Sequence, residues 1–308
     1  MILSVSRRTD IPSRYPAWFM ERVSAGYVLC RSPYRPSRVS RIPVTPDVVD
    51  AIVFWTKDPG PMLPHLDELD GRGFSYYFQL TLTGYGKDVE PGLRDKREIL
   101  RDAARLGTRL GKRGLVWRYD PIFFTREYTM EWHKKTFSAL CKELSGVTDQ
   151  VTISFLDCYK GTRGSDLSAP KPEEQLEFAA FAAQAGAEYG LRVCACCESP
   201  ELSRVGVEKA ACIDPERVRD IIGAPLRWKP DKGQRKGCGC CASVDVGMYD
   251  TCINGCRYCY ANHSSALLMR RIAHYRVTSP LLCGELSPFD SVVEKAYASD
   301  RMEQTSLF

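Results

Sequence analysis

The sequence predicts an α/β protein built from parallel βα units, arranged as a partial or full barrel. Three observations lead there. Short apolar runs rich in β-branched and aromatic residues recur through the first two-thirds of the 308 residues. Longer segments with helical spacing lie between them. Proline and glycine mark the junctions. Alternation of this kind reads as parallel βα units, and six or more of them over about 250 residues suit a barrel.

The predicted strands are Ile2–Ser6, Ala51–Trp55, Ser75–Leu82, Leu115–Tyr119, Val151–Phe155 and Leu191–Cys196. The predicted helices are Pro61–Leu69, Leu93–Leu110, Met130–Leu144 and Pro172–Tyr189. Tyr27–Val44 breaks the rhythm and reads as a hairpin or insertion; it carries Arg31, Arg35, Arg38 and Arg41. Pro225 to Cys241 is polar, basic and rich in Gly and Cys, as expected of a loop or a small metal-held subregion. A short strand, Val244–Met248, then leads into a cysteine motif. A last helix is expected over Phe289 to Ala298, followed by an exposed end. The organisation expected is βα units over 1–190, a Cys-rich region over 191–285 that completes the barrel, and a C-terminal helix and tail over 286–308. No internal repeat or low-complexity tract interrupts it.

Composition narrows the class. Charged residues are 26% and apolar residues 44%, an ordinary globular balance. The net charge of +5 permits an anionic partner without requiring one. The N-terminus, MILSVSRRTD, lacks the shape of a signal peptide, and no stretch is long and apolar enough to span a membrane. A cytoplasmic location is therefore expected. There, 14 cysteines point to metal or redox chemistry rather than disulfides. Cys30, Cys141, Cys158 and Cys283 stand apart and read as buried structural thiols. The other ten fall between Cys194 and Cys259.

Cys252, Cys256 and Cys259 follow C-x3-C-x2-C spacing. Three thiolates on one short loop can each ligate one iron of a four-iron cluster, leaving the fourth iron open to a small molecule. Gly255 allows the tight turn. A zinc site is the first alternative, with Cys238, Cys240 or Cys241 as a fourth ligand. A dithiol redox pair at Cys256 and Cys259 is the second. Polar residues also recur at strand ends: Thr9 and Asp10, Lys57, Thr81 and Thr83, and Arg118 with Asp120. In a parallel βα barrel that is where chemistry sits.

The segment CINGCRYCYAN resembles the cluster-binding motif of the radical S-adenosylmethionine superfamily, particularly the spore photoproduct lyase branch. In that superfamily the motif follows the first strand. Here it comes late, as a circular permutation would place it, with Val244–Met248 as the first strand and Ile2–Ser6 as the second. Thr9-Asp10 and Thr56-Lys57-Asp58-Pro59 then match similar elements of that branch. Through SVSRRTDIP, FWTKDP, WRYDPI and QRKGCGC, nearly the whole chain is similar to an uncharacterised bacterial family, DUF1848. The resemblance implies a [4Fe–4S] cluster on Cys252, Cys256 and Cys259, S-adenosylmethionine as cofactor, and an electron donor such as flavodoxin or ferredoxin. Thr9, Asp10, Lys57, Arg118, Asp120 and Tyr258 are the candidate cofactor-binding side chains. The substitute for the family's usual glycine-rich contact is expected around Ser6–Asp10.

A second metal, zinc or another Fe–S cluster, is expected from Cys196, Cys212, Cys238 and Cys240, drawn from a set that also holds Cys194, Cys197 and Cys241. The alternative is a set of free thiols. The C-terminal Gln304-Thr305-Ser306-Leu307-Phe308 resembles the peptide by which bacterial repair proteins dock on the sliding clamp, with Gln304, Ser306, Leu307 and Phe308 as anchors. That points to a nucleic-acid substrate. Arg7-Arg8, Arg31–Arg41, Lys229–Lys236 and Arg270-Arg271 are candidate phosphate contacts, and Trp55, Tyr77, Trp117 and Tyr119 candidate stacking platforms. Two alternatives stand beside this one: the same chemistry on a peptide, tRNA or small metabolite, and a non-catalytic binding module stapled by metal.

Overall fold

The computed structural model describes residues 1–157, 167–198, 200–235 and 237–302. Cys158, Lys236, Gln304, Ser306, Leu307 and Phe308, on which expectations above fall, lie outside the described residues.

In chain order the elements are β1 (Ile2–Val5), α1 (Ile11–Arg14), α2 (Pro16–Ala25), β2 (Tyr27–Arg31), β3 (Arg38–Pro43), β4 (Ala51–Thr56), α3 (Leu66–Gly71), β5 (Tyr76–Thr81), α4 (Lys96–Leu110), β6 (Leu115–Ile122), α5 (Met130–Leu144), β7 (Gln150–Phe155), α6 (Pro172–Glu188), β8 (Arg192–Ala195), β9 (Glu208–Lys209), α7 (Pro215–Ile222), β10 (Ser243–Asp245), α8 (Ser265–Ala273) and β11 (Ser291–Glu294). Eight strands form one sheet in the order β10-β1-β4-β5-β6-β7-β8-β9. Every neighbouring pair in it is parallel. Chain order and spatial order agree except for β10, which joins late yet lies at the edge beside β1, pairing Leu3 with Val244.

The expected α/β fold with a large parallel sheet forms, and the sheet is open: among the described residues β9 and β10 do not pair with each other. Both are short, three residues in β10 and two in β9, and they offer little backbone for closure. The expected hairpin forms: β2 and β3 pair antiparallel. A correction concerns the C-terminal region. Where a helix is expected over Phe289 to Ala298, the chain forms β11 and pairs parallel to β3, Val292 opposite Val39. Adjacent β-branched residues beside an open strand edge favour pairing over the helix.

Alternation along the strands builds two cores. Leu3, Ile52, Phe54, Phe78, Trp117 and Val151 belong to the larger one, where Phe54 meets Phe19 of α2 and Trp117 stacks on Phe137 of α5. Ile2, Ala51, Val53, Tyr77 and Val116 face the other way, against Ile213 and Val218 beneath the Cys-rich region. Tyr77, Trp117 and Tyr119 are fully buried in these cores, so they are corrected from base-stacking platforms to packing residues. Among the described residues, no helix is long and apolar enough to cross a membrane.

His133, on α5, is fully buried in the larger core. Its Nε2–H donates to the Phe123 carbonyl at 2.9 Å, so Nδ1 accepts from the Tyr119 hydroxyl at 2.8 Å. The bond to the Phe123 carbonyl raises the pKa, but burial outweighs it and pulls the pKa down to about 4. The unfolded chain therefore binds the proton first. The stabilisation is complete above the ordinary value of about 6.5 and is lost as pH falls toward 4. Chemical denaturation should show the wild type losing about 2 kcal/mol more than His133→Gln between pH 7 and pH 5. Parallel losses would contradict this.

Candidate functional site

The C-terminal ends of the parallel strands open onto a cavity of about 420 Å³. Each strand from β10 to β8 contributes. Ser6–Asp10 follow β1, Lys57 follows β4, Thr81 ends β5, and Arg118 and Asp120 lie on β6. Leu156 and Asp157 follow β7, Cys196 and Cys197 follow β8, and the loop after β10 brings Cys252, Cys256, Tyr258 and Cys259. Residues called from the sequence as far apart as Thr9 and Cys259 thus line one space. They include Thr9, Asp10, Lys57, Arg118, Asp120 and Tyr258, and both cysteine groups. Parallel strands put their carboxyl ends on one side, which is why scattered strand-end polar residues converge.

The three-cysteine loop is held from beneath by a buried carboxylate. One oxygen of Asp10 accepts from Ser13 N–H at 3.1 Å and caps α1. The other accepts from Lys57 N–H at 2.9 Å and from Asn254 Nδ2 at 3.0 Å. Asn254 lies between Cys252 and Cys256, so one side chain joins α1, the end of β4 and the cysteine loop. Burial raises the Asp10 pKa while these donors pull it down. Arg14 Nε reaches Asn254 Oδ1 at 2.6 Å, and Gly92 N–H donates to Asn254 O at 2.9 Å. Tyr15 donates to Thr251 O at 2.5 Å. Gly255 takes a φ of +69°, which its lack of Cβ permits. Burial pushes the Cys252 and Cys256 thiols up to about 12 and raises Cys259. As bare thiols they stay protonated at neutral pH, and a bound cation would be what deprotonates them.

Asp10 is thus a positioning residue with both oxygens engaged. Thr9 differs: its Oγ1 is buried and makes no hydrogen bond. The Lys57 ammonium lies 2.8 Å from Glu90 and 5.1 Å from the Tyr258 ring centroid. Glu90 is buried and also pairs with Lys96 and accepts from the Tyr258 hydroxyl. Burial alone would raise Glu90, but the two ammonium groups hold it at about 2. Against its own burial, Glu90 keeps the Lys57 pKa raised. Sequence reasoning missed Glu90; nothing around Val89-Glu90-Pro91 signals a charge hub.

On the opposite wall, Arg118 pairs with Asp120 at 2.6 Å and donates to Cys212 Sγ at 3.1 Å. The sulfurs of Cys196, Cys212 and Cys240 lie within 4.8 Å of one another, as do those of Cys196, Cys197 and Cys238. These clustered cysteines can hold a metal. Hydrogen bonds from Cys196 and Cys240, with the Arg118 charge, hold Cys212 well below a free thiol. Cys197 is the member that sequence reasoning left outside the expected quartet; its φ of 59° is rare for a non-glycine residue. Cys194 and Cys241 are buried in the cores instead.

The basic segments are mostly satisfied internally. Arg7 and Arg8 reach Asp245, Arg31 binds Asp290, and Arg271 reaches Asp250. Arg35, Arg38 and Arg270 are exposed and join no ion pair among the described residues. Trp55 is half-buried at the cavity, with the Arg7 and Arg118 guanidinium groups each 5.6 Å from its ring centroid.

Ten solved chains match, and two of these weak likenesses are as follows. A D-hydantoinase matches at 12% identity and a TM-score of 0.31, over 59% of this chain and 44% of its own. A putative α-L-fucosidase from Bacteroides thetaiotaomicron matches at 11% identity and a TM-score of 0.25, over 57% of this chain and 82% of its own. No curated protein matches the sequence. One family model does, over residues 2–261; its description is a domain of unknown function, DUF1848.

Gly92 leaves no room for a side chain: an added Cβ would stand 2.6 Å from Asn254 O and 2.8 Å from Asn254 Cα. Gly92→Ala should therefore displace the cysteine loop and cost about 1–3 kcal/mol in chemical denaturation. Unchanged stability would mean that the loop does not rest on this contact.

Proposed function

Since the chain belongs to the DUF1848 family, a domain of unknown function, we propose from its own residues that it is a radical S-adenosylmethionine enzyme. The observation that carries the proposal is the three-cysteine loop facing the cavity. The loop follows β10, the edge strand beside β1. In spatial order the motif therefore follows the first strand of the run β10-β1-β4-β5-β6-β7. The superfamily places its cluster there, and the order supports a permuted relationship.

The donor set fits a [4Fe–4S] cluster. Cys252, Cys256 and Cys259 all line the cavity. They are not among the groups whose ligand atoms converge within 4.8 Å, which suits three separate irons better than one ion. Cys252, Cys256 and Cys259 would hold such a cluster, and the chemistry it would supply is one-electron reductive cleavage of the S-adenosylmethionine sulfonium, with the electron from an external donor and methionine released. The chain's part is to bind, orient and exclude water. The unpartnered Thr9 hydroxyl is available to a ligand polar group. Arg118 and Asp120 offer a fixed charged pair, Lys57 a cation held by Glu90, and Tyr258 a buried wall beside the loop.

For the substrate we propose a nucleic acid, engaged one extruded nucleotide at a time, with the C-terminal Gln304, Ser306, Leu307 and Phe308 docking on the sliding clamp. Exposed Tyr34, Arg35 and Arg38 at the β2–β3 turn support a strand contact outside the cavity. The internal pairing of Arg7, Arg8, Arg31 and Arg271 favours a second reading, a small metabolite taken wholly into the cavity.

Anaerobically reconstituted protein, reduced with dithionite and given S-adenosylmethionine, should form 5′-deoxyadenosine. Cys256→Ala should form none. An intact, reducible cluster that yields no 5′-deoxyadenosine, even with DNA present, would overturn the assignment. Removing the last five residues should abolish retention on immobilised sliding clamp; undiminished retention would sink the docking proposal.

A further inference from the structure

The second cysteine group forms two triads that share one sulfur. Cys196, Cys212 and Cys240 lie within 4.8 Å of one another, and so do Cys196, Cys197 and Cys238. The quartet expected from the sequence is therefore corrected. Cys238 Sγ sits 4.0 Å from Cys196 Sγ but does not converge with Cys212 and Cys240. We infer that Cys196, Cys212 and Cys240 hold a single divalent ion of the zinc class, with its fourth position open to the cavity for a thiol-bearing ligand. The site uses no residue of the three-cysteine loop and stands whether or not that loop carries a cluster.

Three convergent sulfurs are what one tetrahedral ion with an open position needs from a protein. Metal–sulfur bonds of about 2.3 Å set the thiolates about 3.8 Å apart, a spacing within the triad's reach. Three chain segments supply them: Cys196 follows β8, Cys212 lies between β9 and α7, and Cys240 precedes β10. Hydrogen bonds hold these segments to one another and to the sheet. Ala210 N–H donates to Ala195 O at 3.0 Å, and Cys241 N–H to Ile213 O at 2.9 Å. Gln79 Nε2, from β5, donates to Cys212 O at 2.5 Å. The backbone thus presents the three sulfurs to one point.

Donors aimed at the sulfurs favour their thiolate form. Arg118 donates to Cys212 Sγ at 3.1 Å, and Ile213 N–H to Cys240 Sγ at 3.4 Å. Outer contacts of this kind orient metal ligands, and both fall on this triad and not on the other. Among the described residues no fourth Cys, His, Asp or Glu lies within 4.8 Å of all three sulfurs. All three residues line the cavity. A zinc ion with three protein ligands leaves its fourth position to water or substrate, and here that donor comes from the cavity. Three thiolates around a divalent ion carry a net charge of −1, which the Arg118 guanidinium offsets. A thiol is a soft donor matched to such an ion. On binding, its S–H bond breaks, a metal–sulfur bond forms and the proton passes to solvent.

The test uses the full chain carrying Cys252→Ala, Cys256→Ala and Cys259→Ala, so that the other loop offers no thiolate. Under anaerobic conditions one equivalent of zinc(II) is added and read by X-ray absorption at the zinc edge, and cobalt(II) is titrated as a spectroscopic probe. The expected result is three sulfurs at about 2.3 Å with one lighter donor, and thiolate-to-cobalt charge-transfer bands that saturate at one equivalent. Mercaptoethanol should then shift the cobalt d–d bands and add a fourth sulfur at the zinc edge. Adding Cys212→Ser or Cys240→Ser should weaken cobalt binding by roughly tenfold or more, while Cys238→Ser should leave it unchanged. Four sulfurs before mercaptoethanol is added, or spectra indifferent to it, would overturn the open position. Absence of charge transfer in the folded protein, iron with acid-labile sulfide after purification, or loss of binding with Cys238→Ser and not Cys240→Ser would each overturn the assignment. The zinc and cobalt readings on the parent protein need no serine variant, and Cys256→Ala alone serves as parent where the triple change does not fold.

Discussion

The geometry of the cavity depends on the hydrogen bonds of one buried carboxylate. Asp10 is 7% exposed, and its two oxygens take N–H groups from Ser13, Lys57 and Asn254. A buried carboxylate without such donors is costly, whereas one that is fully engaged fixes whatever supplies them. Here the suppliers are a helix start, the end of a central strand and the loop that carries Cys252, Cys256 and Cys259. The loop's position relative to the sheet follows from this one side chain more than from its own regular structure, since residues 250–264 contain no helix or strand. Gly92 and Tyr15 complete the seat by close approach and a hydrogen bond.

Around that seat the cavity is organised as two walls of sulfur with fixed charge between them. Glu90 pairs with Lys57 and Lys96 on one side, and Asp120 pairs with Arg118 on the other. Each cation is held by a partner and keeps a defined direction. In a partly enclosed site of low effective dielectric, charges fixed in this way act more strongly than in water and need no reorganisation when a ligand arrives. Thr9 Oγ1, buried on the cavity wall and without a partner among the described residues, is a polar atom whose hydrogen bond these residues do not supply. That is the pattern expected where a ligand completes the structure.

Much of this was legible in the sequence. The six strands read from apolar runs all form within a residue or a few of their expected ends, because β-branched and aromatic runs bounded by Gly and Pro carry strong local signals. Thr9, Asp10, Lys57, Arg118 and Asp120 were readable as strand-end polar residues, and topology brought them together. Barrel closure was not legible: it depends on whether β9 and β10 meet, and no local pattern encodes that. Helices α1, α2, α7 and α8 were missed although Asp10, Asp214 and Ser264 cap three of them. These segments are short or only partly apolar, and a cap residue alone does not specify a helix. The helix expected over Phe289 to Ala298 lost to strand pairing with β3, a tertiary effect. Charge pairing escaped as well: Arg7 and Arg8 read as a basic patch until Asp245, 237 residues or more away in sequence, was seen to hold them.

The account's central claim is that the Asp10-seated loop presents a cluster with one iron open to a ligand inside the cavity. Electron paramagnetic resonance of the dithionite-reduced, reconstituted protein tests this most directly, with spectra recorded before and after S-adenosylmethionine is added. The account predicts a four-iron signal whose g values shift on addition, because the ligand binds the metal itself. A cluster signal that stays unchanged at saturating S-adenosylmethionine would contradict it.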